Sequence, residues 1–307
     1  MSLSIEETIA DLAKSDKPLS RSGLTELSNL SSEGVEFLSR MWVSIESKRR
    51  QQIIYRLVEL AEDNFELNFD SIFKNCLKDQ DAEVRSKAIE GLWESEEASL
   101  INPLINLLKY DSSEKVRVAA AKVLGKFAML AEDKKLRSCH TSKLEEALLS
   151  MIGDKSKPID VRRRALEAAA PLSLPQVKRA IMQAYQSHNP RLRASAVYAM
   201  GKSCNPSWLP ILLKELTNAD TEIRYEAAGA CGELGEEEVV PYLIELISDP
   251  DINVQLAAIQ ALGKIGGSQA RESLEECRNN PSEVVQEAAE QALEELKAME
   301  APFSFEV

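Results

Sequence analysis

Two histidines, His140 and His188, and five cysteines are the side chains on which metal binding or nucleophilic catalysis would have to rest. Neither histidine stands in H-x-x-x-H or H-E-x-x-H, and no C-x-x-C occurs, so the spacings that turn paired ligands onto one zinc ion are missing. Cys139 and His140 are neighbours, but adjacent side chains point apart, which reads as an exposed loop thiol and not as a nucleophile with its base. The stretch LGKIGGSQ at 262–269 lacks the G-x-G-x-x-G spacing and follows a helix, and no P-loop appears. Paired carboxylates such as the acid run 236–238 read as solvated helix faces. The expectation is a chain with no catalytic residue, no cofactor and no metal, hence not an enzyme.

What remains is charge and apolar patterning. The net charge of −13, from 37 basic and 50 acidic residues, argues against a general nucleic-acid coat. It is unevenly spread. Residues 155–203 hold ten bases and two acids, net +8, while 204–307 hold six bases and 21 acids, net −15. The basic segment could attract phosphate groups or an acidic protein; the acidic stretch after it would repel flanking nucleic-acid backbone, so nucleic acid is the lesser expectation. No run approaches the roughly 20 apolar residues that span a bilayer, so no membrane is expected. The thiols Cys76, Cys139, Cys204, Cys231 and Cys277 are odd in number and widely spaced, and the N-terminus has no apolar secretory core. Together these predict reduced cysteines, mostly small core residues on helices, in a cytoplasmic protein.

The elements that must position any site are predicted by a repeat. A phrase of turn residue, two spacers, a branched apolar anchor, usually arginine, and alanine four places after the anchor recurs seven times. Its anchors are Val84, Val116, Val161, Leu192, Ile223, Val254 and Val284, separated by 32, 45, 31, 31, 31 and 30 residues. The alanines are Ala88, Ala120, Ala165, Ala196, Ala227, Ala258 and Ala288. Apolar positions four, five and eight places on from the anchor make a helical stripe, not a strand alternation. Asp81, Ser113, Asn189, Asp220 and Asp251 can cap the helix start. A constant alanine implies a neighbouring helix so near that a larger side chain would overpack by roughly 1–3 kcal/mol. Gly125, Gly201, Gly232 and Gly263, nine places after their anchors, permit the same approach. A second apolar helix precedes each phrase, with Pro103, Pro210 and Pro241 in its first turn. A single helix pair cannot bury a core; stacked pairs can. The 44% apolar content, with only 5% aromatic residues, suits such close-packed helices.

The helix pair with proline in its first member and D-x-x-[VI]-R-x-x-A in its second resembles the HEAT repeat. Its period near 31 residues and its A-x-x-x-[LMC]-G ending are most similar to HEAT-like repeats of the phycobilisome-lyase type. The resemblance implies an all-α fold, a right-handed α-solenoid of about seven stacked antiparallel pairs. It divides the chain into an atypical helical N-terminal cap (1–65), a repeat array (66–298) with an insertion near 129–141, and a C-terminal tail (299–307) in which Phe303 and Phe305 could dock as an extended peptide. Helices are expected near 5–14, 19–29, 32–42 and 46–62. The family's deoxyhypusine hydroxylase holds iron with His-Glu pairs; no His-Glu dipeptide occurs in this sequence.

Arg85, Arg117, Arg162, Arg193 and Arg224 share one place in five repeats, and in HEAT-like folds such residues form a ladder with acids of adjacent repeats. Gln255 and Val285 break that column. In the family the arginine-bearing helix lines the concave face. Candidate partner contacts are therefore Val118, Arg163, Tyr225 and Leu256, two places after their anchors, and Tyr198, six after its own. The functional expectation is a scaffold holding another protein on that face, as a monomer in preference to an oligomer. A HEAT-like bilin lyase or isomerase is the alternative, and phosphate or nucleic-acid binding through 155–203 a further one.

Overall fold

In the structure, a computed structural model that describes residues 5–300, every regular element is helical. The chain divides into two compact units, 1–168 and 169–307. Unit one carries α1 (Ile5–Leu12), α2 (Arg21–Thr25), α3 (Ser32–Trp42), α4 (Ser47–Asp63), α5 (Asp70–Cys76), α6 (Ala82–Gly91), α7 (Ile101–Tyr110), α8 (Glu114–Glu132), α9 (Ser138–Gly153) and α10 (Ile159–Ala169). Unit two carries α11 (Pro175–Tyr185), α12 (Pro190–Lys202), α13 (Leu209–Glu215), α14 (Thr221–Leu234), α15 (Val240–Leu246), α16 (Ile252–Ile265), α17 (Ser268–Cys277) and α18 (Glu283–Glu300). Each unit is an α-solenoid stack: α4, α6 and α8 lie side by side in the first, and α12, α14, α16 and α18 in the second; all but α4 are backed by the helix before them, and α4 packs on α2. The four expected N-terminal helices are present as α1 to α4. The tail residues Phe303 and Phe305 lie outside the described residues.

The repeat phrase forms helices for the reasons its residues suggest. Asp81, Asn189, Asp220 and Asp251 accept amides of the first turn, satisfying donors that the helix start leaves open. Ser113 has the extended N-cap backbone, but its hydroxyl takes no amide. Pro210 and Pro241 sit in the first turn of α13 and α15, and Pro103 in that of α7. The 129–141 insertion is not an excursion. It lengthens α8 to 19 residues and adds a first turn to α9, leaving only 133–137 between them. Cys139 is therefore exposed on a helix and not in a loop.

Six of the seven anchors are buried as expected. The seventh is one residue out of register: Val284 is 51% exposed, and Val285 is the buried one, followed four places later by Ala289. The corrected spacing is again 31 residues, and the arginine column then falls on Gln286, not Val285. Two valines in a row made the sequence ambiguous, and only packing against α16 distinguishes them. The anchors' alanines are without measurable exposure, and each buried anchor contributes roughly 1.5–3 kcal/mol.

The glycines meet a second alanine column, seven places after the anchor, that the repeat phrase does not name: Ala168, Ala230, Ala261 and Ala292. A methyl group on Gly201 would lie 2.5 Å from the Cα of Ala230, one on Gly232 2.8 Å from that of Ala261, and one on Gly263 2.8 Å from the Cβ of Ala292. In unit one, Gly125 meets Ala168 at 3.3 Å in the same way. Gly229, on the same helix as Gly232, has nothing within 4 Å of that position. Gly201→Ala is expected to cost about 1–3 kcal/mol, and Gly229→Ala to stabilise α14 by up to ~1 kcal/mol, in urea unfolding followed by circular dichroism. Burial pushes the Cys231 thiol up to about 12 and raises those of Cys76 and Cys277. A thiol-alkylating reagent should accordingly label Cys139 and Cys204 in the folded protein, and the other three only in denaturant.

Candidate functional site

The polar side chains of the stack are mostly committed to structure. Five residues before each anchor a short polar side chain recurs: Asp79, Asp111, Ser156, Ser187, Asn218, Asp249 and Asn280. Six of them turn the chain into the second helix by accepting an amide. Asp79 takes the amide of Asp81, Asp111 that of Ser113, Ser187 that of Asn189, Asn218 that of Asp220, Asp249 that of Asp251 and Asn280 that of Ser282.

Where this residue is aspartate and the preceding repeat carries arginine, a doubly held ion pair results. Arg85 donates Nε and Nη2 to Asp111, both at 2.8 Å, and Nη1 to the carbonyls of Asp79 and Gln80. Arg224 repeats the pattern with Asp249 at 2.7 and 3.0 Å and with the carbonyls of Asn218 and Ala219. Arg50, on α4, makes a related pair, donating Nη2 to Asp79 at 3.2 Å and Nη1 to the carbonyl of Ile45, although the repeat phrase is absent there. Ile53 stands in the alanine's place, three residues after that arginine, and this hides the relationship. Trp42 adds an indole donor to Asp79 at 2.6 Å. Arg162 donates to the carbonyl of Ile152, and Arg117 and Arg193, like it, precede repeats whose aspartate place holds serine or asparagine. Gln255 and Gln286 each reach back to a carbonyl, of Asp249 and Asn280, at 2.6 Å.

The candidate contact residues divide between the units. In unit one Val118 is half-buried on α8, and Arg163 closes onto Asp160 at 2.6 Å and Glu167 at 3.5 Å of its own helix. In unit two Tyr198, Tyr225 and Leu256 occupy α12, α14 and α16. Tyr198 and Tyr225 line one shallow groove of about 190 Å³ with Lys202, Glu233 and Lys264. Glu233 accepts from Lys264 at 2.6 Å and Lys202 at 3.1 Å; burial alone would raise its carboxyl, but the two ammonium groups hold it below the usual carboxylate range. Tyr225 is 44% exposed, Tyr198 and Leu256 half-buried. The outward column two places after the anchor is not uniformly open: Ser86 and Ala194 are buried.

Several bases of the 155–203 segment are engaged as well: Lys157 with Asp154, Arg164 with Glu167, and Lys178 over the ring of Trp208. Among the described residues, no three His, Cys, Asp or Glu are grouped to hold a metal ion, and no helix is long and apolar enough to cross a membrane.

Comparison with known proteins agrees with this geometry. The sequence matches the family described as HEAT repeats over residues 70–148, 145–218 and 209–294. No curated protein matches it. Among solved structures it is similar to the complex of CpcE and CpcF of phycocyanin lyase from Nostoc, at 16% identity and a TM-score of 0.55, covering 96% of both chains. It is also similar to yeast importin-β, Kap95p, at 14% identity and a TM-score of 0.54, covering 98% of this chain and 47% of that one.

The Arg224–Asp249 pair makes a specific prediction. The arginine holds the Asp249 carboxyl below its ordinary 3.8, so the stability it contributes is complete above that pH and is lost as pH falls through the folded value. Asp249→Asn should cost roughly 3 kcal/mol at pH 7, by stranding a largely buried guanidinium, and should weaken the loss of stability between pH 5 and 3; urea unfolding at both ends of that range measures it.

Proposed function

Because the chain belongs to the HEAT-repeat family, we propose that it is a non-catalytic scaffold that holds another protein on the face made by its second helices. Proteins of this repeat commonly mediate protein interactions. The observation that carries the reading is the joint placement of Tyr198 and Tyr225 in one groove bordered by fixed charges. Rigid aromatic anchors beside oriented charges are the composition from which interface energy comes, while the surrounding charge sets encounter rate and selectivity. The ionic side chains that might suggest chemistry are instead committed to turns and to repeat-to-repeat pairs. The odd number and wide spacing of the cysteines support a cytoplasmic setting, with residues 1–65 as a divergent end to the array.

A second reading, a bilin lyase or isomerase, is supported by the likeness to CpcE and CpcF over nearly the whole of both chains. It predicts that added linear tetrapyrrole binds with a shift in visible absorbance.

The test is affinity capture of the tagged protein from nuclease-treated lysate at low and moderate salt, read by mass spectrometry, beside the Tyr198→Ala/Tyr225→Ala variant. A stoichiometric protein partner that is lost in the variant, with helical content and melting unchanged, is the expected result. Bound pigment and no protein partner would overturn it in favour of the lyase. Salt-sensitive retention on heparin by the parent, with no protein captured, would turn attention to the 155–203 segment.

A further inference from the structure

An apolar concavity of unit one lies elsewhere, among α4, α6 and α8. It encloses about 550 Å³, the size of pockets that take whole side chains or small ligands. Val58, Ala61, Ala119 and Val123 form its floor, and Phe65 and Trp93 stand at its wall. Phe65 is 96% exposed and Trp93 54%, so two of the largest apolar side chains in the unit are left in water beside an apolar hollow. The hollow has a cause in the repeat. Trp93 occupies the place, nine residues after the anchor, that holds glycine in Gly125, Gly201, Gly232 and Gly263. In those repeats the glycine lets the following helix close to contact; here α6 ends at Gly91 and a groove opens instead.

The rim is rich in acids. Segments 58–66 and 90–97 each contain four acids and no base. Glu62, Glu90 and Glu94 line the groove itself, against one lining base, Lys122. From outside the groove Arg21, Arg56, Lys74 and Lys87 pair with Asp63, Glu59, Glu97 and Glu90, and Lys126 with Glu94 and Glu96, whereas Glu62 and Glu66 have no ion pair among the described residues. We propose that this groove docks a segment of a partner protein in which bulky apolar residues are flanked by lysine or arginine. The apolar side chains would fill the hollow against Phe65 and Trp93, and the bases would meet the acids left without an ion pair, Glu62 and Glu66. The chain's own aromatic run at 303–305 is followed by Glu306, and no lysine or arginine lies between 298 and 307, so the rims oppose it. The proposal rests on the scaffold reading and deepens it by giving the partner's chemistry.

Tryptophan emission reads the groove directly. Of the three tryptophans, Trp42 and Trp208 are buried, so Trp93 alone reports a change at the surface. The full chain is titrated with the tryptophan-free peptide KKLLFKLLKK, with EELLFELLEE and KKSSSKSSKK as controls. The expected result is a saturable blue shift with the first peptide only, weakened about tenfold by Phe65→Ala and also reduced by Glu62→Lys. Both residues are exposed, and unchanged circular dichroism confirms that the variants fold. Equal binding of either control, or no loss in Phe65→Ala, overturns the proposal. So does parent emission that moves to the red when 301–307 are removed, which would mean that the chain's own tail fills the groove. Because the lysate capture uses Tyr198 and Tyr225 of the other unit, a failed titration with an intact capture sinks this site and leaves the scaffold standing; failure of both sinks the scaffold too.

Discussion

The near-contact of successive second helices is the constraint on which the rest depends. A glycine of one repeat faces an alanine of the next with no room for a methyl group, at Gly201, Gly232 and Gly263 in unit two and, less tightly, at Gly125 in unit one. Helices this close exclude large side chains from the seam, so stability comes from dispersion between many small groups and from the branched anchors beneath them. The same constraint sets the period. An added residue in the second helix would turn its alanine out of the seam, whereas the fourteen or so residues added between Val116 and Val161 lengthen α8 and α9 beyond it.

The polar chemistry is arranged around that seam. Each turn between paired helices leaves carbonyls unsatisfied, and the residue after the anchor, arginine or glutamine, reaches back to them at Arg50, Arg85, Arg224, Gln255 and Gln286. Arginine has donors left over, which an aspartate of the next repeat takes; glutamine does not. The ion pairs are thus an extension of turn capping, and they stop where either partner is lost. This accounts for many of the charges in a chain of which 28% is charged.

Much of this was legible beforehand because the repeat states it seven times. Caps at Asp81, Asn189, Asp220 and Asp251, first-turn prolines, buried alanines and seam glycines all followed from spacing. The failures share a cause. At Val284–Val285 two residues of one type were adjacent, and periodicity alone could not choose between them. At Arg50 the place of the phrase's alanine holds Ile53, so the helix that begins the arginine–aspartate pairing was read as lying outside the pattern. Trp93 did carry a signal, a tryptophan in a glycine column, but a missing glycine does not by itself say whether the neighbouring helix moves away or the side chain folds inward.

By itself the sequence determined the helical class, the repeat period, the buried alanines, the seam glycines and the absence of familiar catalytic spacings. These depend on local propensity and on a period of 3.6 residues, which are properties of adjacent positions along the chain. Only the tertiary structure decided which arginines have an acid within reach, that Tyr198 and Tyr225 share a groove, and that an acid-rimmed hollow opens beside Phe65 and Trp93. Those outcomes depend on distances between helices some thirty residues apart, and such distances are set by how closely two surfaces can pack, which no single repeat contains.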